Sequence, residues 1–69
     1  MEKIVLREDY IKLGQALKAA NLVSSGVEAK IVIAEGNVLV NGEVETQRGK
    51  KLVNGDKVEF NGETILICK

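Results

Sequence analysis

The chain has 69 residues, ten basic and ten acidic side chains, no histidine and one cysteine, with 45% hydrophobic and 3% aromatic residues. This length predicts a single domain, residues 1–69, whose small core consists of aliphatic side chains. No apolar run approaches the roughly 20 residues needed to span a membrane, and a net charge of zero gives no overall attraction for nucleic acid, so any such function depends on how the charges are distributed.

The first part of the chain predicts a short edge strand and a helix. Ile4-Val5-Leu6 is rich in β-branched and aliphatic residues, as strands are. Asp9 is a suitable N-cap for a helix from Tyr10 to Ala20. The apolar stripe of this helix is predicted to be Tyr10, Leu13, Leu17 and Ala20. Gly14 costs about 0.5–1 kcal/mol relative to alanine inside a helix, and a close neighbour, a functional surface or a tolerated flaw would each account for it.

A second helix is predicted from Gly26 to Glu35, after a short link that makes the two helices a helical hairpin. Ser25 and Glu28 have the spacing of a capping box, and Gly36 stands where a left-handed C-terminal cap is required. One predicted face carries Val27, Ile31 and Ala34, and Val32 and Ile33 widen it. We therefore expect this helix to be largely buried.

Two Asn-Gly pairs predict tight hairpins, because this turn needs positive φ at both central residues. In a strict hairpin at Asn41-Gly42, Val40 faces Glu43 and Val44 lies opposite Leu39. One face of that ribbon then stays partly exposed, unless a bulge shifts the register. The sequence leaves both alternatives open.

The hairpin at Asn61-Gly62 has a self-consistent register, with Val58 opposite Ile65 and with Phe60 and Ile67 on the same side. A turn is predicted at residues 54–56. The fold class that follows is α+β, a two-helix hairpin packed on a small antiparallel β-sheet.

The residue types offer little for catalysis or metal binding. Histidine, the commonest general base and metal ligand, is absent. The single cysteine, Cys68, cannot form a structural zinc site and fits a reducing cytoplasm. Capping accounts for Ser24 and Ser25, which have no nearby base to activate them. The sequence therefore predicts a non-catalytic protein without a metal or cofactor.

Charge placement is the remaining functional signal. The acidic residues concentrate near the start of the chain and on the hairpins, whereas cations occupy both helices and the loop after the first hairpin. Sorted in this way, a neutral chain can present one basic face to phosphate groups. The candidate contacts are Lys12, Lys18, Lys30, Arg48, Lys50 and Lys51. Composition alone favours the alternative interpretation, a solvated surface of scattered lysines.

The order of motifs resembles the S4 RNA-binding domain family (the αL motif) over Lys12 to Phe60. Four blocks carry the resemblance: Lys12-Leu13-Gly14 with Leu17, Ser25-Gly26 with Ala29-Lys30, the run from Gly36 to Gly42, and Leu52 with Gly55-Asp56. Gly14 replaces an acid of the family pattern, and Gly26 replaces the arginine that usually meets phosphate. Together with the loop Arg48-Gly49-Lys50-Lys51, these departures resemble the short stand-alone bacterial branch, the YaaA/YbcJ-like proteins.

This resemblance implies a monomeric, cytoplasmic, non-catalytic protein that binds structured RNA, expected to be ribosomal, and that acts in ribosome biogenesis. The six cations would contact phosphates, and those of the loop would compensate for Gly26. No exposed aromatic platform is expected, which argues against sequence-specific binding of single strands. The alternative is a protein–protein interaction module that uses Leu39, Leu66 or an exposed edge strand.

Overall fold

The structure, a computed structural model, describes residues 2–69 and contains two helices, a five-stranded sheet and a separate strand pair. The strands are β1 (Glu2–Val5), β2 (Ile11–Lys12), β3 (Val38–Val40), β4 (Glu43–Val44), β5 (Lys51–Leu52), β6 (Lys57–Phe60) and β7 (Glu63–Cys68), and the helices are α1 (Leu13–Ala19) and α2 (Gly26–Ala34). The predicted α+β class is confirmed. The core joins aliphatic side chains of both helices to the sheet, including Leu17, Ile33, Val58 and Ile65.

The sheet is mixed, which corrects the expectation of a purely antiparallel one. Its strand order is β1-β7-β6-β3-β4, and β1 runs parallel to β7 while every other pair is antiparallel. The predicted edge position of β1 is confirmed. Residues near the two ends of the chain form this parallel pair, so no local turn signal in the sequence could report its direction.

The Asn41-Gly42 turn is a strict two-residue hairpin without a bulge, which settles the open alternative. Leu39 pairs with Val44 and Val40 with Glu43, and both turn residues have positive φ, 53° and 85°. Val40 is therefore buried, whereas Val44 is 59% exposed on the other face. The predicted register of the second hairpin, Val58 opposite Ile65, is confirmed.

Helix α1 starts three residues later than predicted. Ile11 and Lys12 form β2, which pairs with Leu52 and Lys51 of β5. This pairing draws Ile11 out of the helix and places it opposite a fully buried leucine. Asp9 consequently caps nothing, and Tyr10 is 40% exposed instead of lying in the helical stripe.

The N-terminus of α1 is capped by the main chain of a loop and not by a side chain. The Leu13 N–H donates to the Lys50 carbonyl (2.8 Å), and the Gly14 N–H donates to the Arg48 carbonyl (3.1 Å). These bonds satisfy two of the donors that a helix start leaves unpaired. They also dock the loop of residues 46–50 against the helix.

The predicted bounds of α2 are confirmed to within one residue, and Gly36 has the expected positive φ of 80°. The Ser25 hydroxyl accepts a bond from the Glu28 N–H (3.1 Å). The second bond of the predicted capping box goes to a different residue. The Glu28 carboxylate accepts hydrogen bonds from the N–H (2.6 Å) and the hydroxyl (2.9 Å) of Ser24 and not from the N–H of Ser25. The bond from the Ser24 N–H, followed by that from its hydroxyl, lowers the pKa of Glu28.

The predicted buried face of α2 is wrong. Val27 and Ile31 are 69% and 51% exposed, and Ala34 is exposed as well. The face that packs against the core is defined by Ala29 and Ile33, which are fully buried. Apolar residues surround this helix almost completely, so its hydrophobic pattern cannot indicate which side faces inward. Within residues 2–69, no helix has both the length and the apolar character required to cross a membrane.

A side-chain network joins the Asn41 turn to the turn at residues 54–56. The Asn41 amide nitrogen donates to one Asp56 carboxylate oxygen (3.0 Å), and its amide oxygen accepts from the Lys57 N–H (3.0 Å). The other Asp56 oxygen accepts from the Val53 N–H (2.8 Å). Two sequence motifs 15 residues apart are thus one structural unit.

Because Asp56 accepts two of these bonds, we expect Asp56→Ala to lower the free energy of unfolding by about 1–2 kcal/mol. The measurement is a urea titration, in which the midpoint shifts while the slope stays constant. Glu8→Ala is the control, since Glu8 is an exposed acidic residue in the loop after β1. Its side chain makes no hydrogen bond or ion pair with residues 2–69. Equal midpoints for the two variants would contradict the structural role of the network.

Candidate nucleic-acid interface

A cleft of about 320 Å³ opens between the starts of the two helices and the loop of residues 46–50. Three separate segments of the chain contribute to it, and its lining contains three cationic side chains and no carboxylate. The lining residues, which we call the cation cleft, are Lys12, Gly14, Gln15, Lys18, Gly26, Arg48 and Gly49. This arrangement suits an anionic ligand.

Local structure explains how the two lysines reach the cleft. Lys12 is the last residue of β2 and, in extended conformation (φ −75°, ψ 147°), also the residue that precedes α1. Lys18 follows Gly14 by four residues on α1, so both lie on the same helix face. The late start of α1 is therefore what places Lys12 at the mouth of the cleft.

Arg48 packs directly against Gly14. A Cβ atom at Gly14 would lie 2.6 Å from the Arg48 Cγ and 3.2 Å from its Cδ. Only glycine permits this contact without a shift of the arginine. Of the three explanations for Gly14, the close neighbour is the one that the structure supports.

Gly26 has a different environment. It is the first residue of α2, and no atom beyond its chain neighbours and the backbone of its own helix lies within 4 Å of the place where its Cβ would be. Packing therefore does not require glycine here, and the open space belongs to the cation cleft. A guanidinium reaches this cleft from Arg48 in the loop, whereas the family pattern places one at the start of the second helix.

Five of the six candidate cations either line the cation cleft or lie beside one of its lining residues. Lys30 follows Gly26 by one helical turn and so shares its side of α2. Lys51 pairs with Lys12 across the short strands, and its ammonium lies 4.9 Å from the centre of the Tyr10 ring. Lys12, Lys18 and Arg48 line the cleft itself, whereas Lys30 and Lys51 are each related to it through one lining residue, Gly26 and Lys12.

Lys50 is placed apart from the other candidates. It lines a separate depression of about 240 Å³ together with three acidic residues, Glu43, Glu45 and Asp56. No carboxylate lies within ion-pair distance of any of the six candidates, because the one ion pair of residues 2–69 joins Lys69 to Asp9 at 3.0 Å. The charges of the cleft are thus not neutralised by adjacent acids.

Sequence reasoning missed Gln15 and Gly49 as cleft residues and Tyr10 as an exposed neighbour. Gln15 could have been found from its spacing, since it lies three residues before Lys18 on the same helix. Tyr10 could not, because its exposure depends on the pairing of β2 with β5. That pairing joins Ile11 to Leu52, two residues far apart in the sequence, so no pattern of neighbouring residues indicates it.

Residues 4–68 match the family model of the S4 domain, and the chain belongs to this family. It is 46% identical over 59 residues to the probable ribosome maturation protein RlbA of Bacillus subtilis, a match that spans 86% of this chain and 83% of that protein. It is 39% identical over 61 residues to the putative RNA-binding protein YbcJ of Escherichia coli, spanning 88% and 87% of the two chains.

The fold is also that of a solved relative. The solution structure of YbcJ from E. coli, described as revealing an αL motif involved in RNA binding, superposes with a TM-score of 0.76 at 37% identity. The superposition covers all of this chain and 89% of YbcJ. The family that the four sequence blocks predicted is therefore confirmed.

Proposed function

We propose that this protein is a non-catalytic RNA-binding protein that recognises structured RNA through the cation cleft. The observation that carries the proposal is the convergence of Lys12 and Lys18 from one segment and Arg48 from another, in a cleft whose lining contains no carboxylate. A rigid cationic cleft recognises the spacing of phosphates, which is how folded RNA is mainly bound. The names of its relatives, a putative RNA-binding protein and a probable ribosome maturation protein, support the same function.

The finer form of the proposal is a single S4-like domain that acts as a monomer on ribosomal RNA, in the cytoplasm, during ribosome biogenesis. Lys30, one helical turn after Gly26, and Lys51, which pairs with Lys12, bring the number of proposed phosphate contacts to about five. Lys50 is the weakest of the original candidates, because three acids share its depression.

The salt dependence of binding tests the proposal. With about five contacts, log affinity for a folded ribosomal RNA fragment is expected to fall against log salt with a slope of about −3.5 to −4.5, since each phosphate contributes roughly −0.7 to −0.9. The measurement is fluorescence anisotropy over a series of salt concentrations. A slope near zero would exclude a phosphate-directed site.

Protein–protein interaction is a second candidate, which the exposed apolar side chains of Val27 and Ile31 favour. Leu39 and Leu66, the contacts suggested by the sequence, are half-buried and less suitable. Nuclease treatment of ribosomal particles separates the two functions. Release of the protein by nuclease supports RNA binding, whereas retention on a protein partner supports the alternative.

A further inference from the structure

A second depression lies on the other side of α1, between this helix and β1 with the segment that follows it. It has a volume of about 410 Å³, which falls within the range typical of small-molecule sites. Its lining, which we call the tyrosine groove, consists of Ile4, Val5, Leu6, Arg7, Glu8, Tyr10, Ile11, Gln15, Lys18 and Ala19. Most of these side chains are apolar, in contrast to those of the cation cleft.

Tyr10 supplies an aromatic wall to this groove. Its residue is 40% exposed, and the ammonium of Lys51 lies 4.9 Å from the ring centre, a distance typical of a cation–π contact. Lys51 does not line the groove. Lys51 thus contacts the ring without contributing to the lining of the groove, to which Tyr10 itself belongs.

The tyrosine groove and the cation cleft are continuous across α1, because Gln15 and Lys18 line both. A nucleotide has the matching division, with an anionic phosphate joined to a planar base of largely apolar faces and a polar edge. A phosphate held near Lys18 would place its base beside the apolar groove. The Gln15 amide, which both donates and accepts, can meet the polar edge of that base.

We propose that the tyrosine groove binds one unpaired RNA base, stacked against Tyr10, while the adjoining phosphate occupies the cation cleft. This inference rests on the proposed RNA-binding function and narrows it to RNA in which a bulged or looped-out nucleotide interrupts a helix. It also corrects the expectation that no aromatic platform is exposed. Splayed-out bases stacked on aromatic side chains are a recurrent mode of RNA recognition.

Two RNA hairpins test the base site, one fully paired and one identical except for a single unpaired uridine in the stem. The wild-type protein is expected to bind the bulged hairpin about tenfold more tightly, which lies within the range found for one base stacked on an aromatic ring. Tyr10→Leu should bring the two affinities together without weakening binding of the paired hairpin. Tyr10→Phe should retain the preference, because the ring remains.

A photocrosslink gives an independent readout that does not require a variant to fold. With 5-iodouridine as the unpaired nucleotide, irradiation of the wild-type complex is expected to attach the RNA to Tyr10, as located by mass spectrometry of the digested protein. Circular dichroism and a thermal melt establish that each variant is folded.

The outcomes separate the base site from the general function. Equal wild-type affinities for the two hairpins, or a crosslink confined to residues outside the groove, would overturn the base site and leave RNA binding intact. A Tyr10→Leu variant that loses the same factor for both hairpins would also overturn it. Binding of neither hairpin at low salt would overturn the RNA-binding proposal itself.

Discussion

Replacing Lys12, Lys18 and Arg48 together by alanine is expected to lower the affinity for structured RNA by about 10- to 100-fold. In the proposed function, each of these side chains makes one partly exposed phosphate contact worth about 0.5–1 kcal/mol. The slope of log affinity against log salt should also become shallower by about 2 to 3, because three phosphate contacts are removed. Anisotropy titrations of the triple variant and the wild type measure both quantities.

The matched control is a triple alanine variant of Lys3, Lys50 and Lys57. It removes the same charge from exposed positions, and none of its residues lines the cation cleft. We expect the control to lose only a small fraction of the affinity, through the change in net charge. If both triple variants weaken binding equally, the cleft is not the site and total charge alone governs the association.

The largest effect on folding is expected from Ile33→Ala. Ile33 is fully buried in the core, and such truncations in a core cost about 2–5 kcal/mol through lost burial and the cavity left behind. A core of this size rarely supplies more than about 3–5 kcal/mol of net stability. The variant is therefore expected to be largely unfolded near physiological temperature, as measured by thermal denaturation with circular dichroism.

Ile31→Ala is the internal control, on the same helix and with the same change of side chain. Ile31 is 51% exposed, so we expect a loss of less than about 1 kcal/mol, which is a shift of several degrees at most in a domain of this length. The sequence pattern predicted that both side chains are buried, with Ile31 on the buried face and Ile33 widening it. A larger loss for Ile31 than for Ile33 would contradict the helix orientation described here.

Features governed by neighbouring residues could be predicted from the sequence. The Asn-Gly turns, the Ser25 cap and the glycine stop of α2 each depend on the φ angles or side-chain reach of a few adjacent residues. The family resemblance extended these local predictions to the fold, because its four blocks specify how the helices and hairpins follow one another. The fold class and the register of the Asn61-Gly62 hairpin were therefore accessible, whereas the register at Asn41-Gly42 stayed open between two alternatives.

Features governed by distant segments could not be predicted. The pairing of Ile11 with Leu52 shortens α1, and the parallel alignment of β1 with β7 has no local signal. The contact between Gly14 and Arg48 joins a helix to a loop more than 30 residues away. The cation cleft includes both residues of this contact and Lys12. The sequence therefore identified the charged residues of the cleft, but it could not predict that they lie together.

The two carbonyls that receive the Leu13 and Gly14 N–H groups belong to the peptide backbone, and any residue type would present them. The capping of α1 therefore does not depend on which side chains occupy the loop of residues 46–50. Side chains in that loop, apart from Arg48 with its contact to Gly14, can be exchanged while the scaffold keeps its anchoring bonds. In protein engineering, this segment is accordingly the place to graft a new specificity onto the fold.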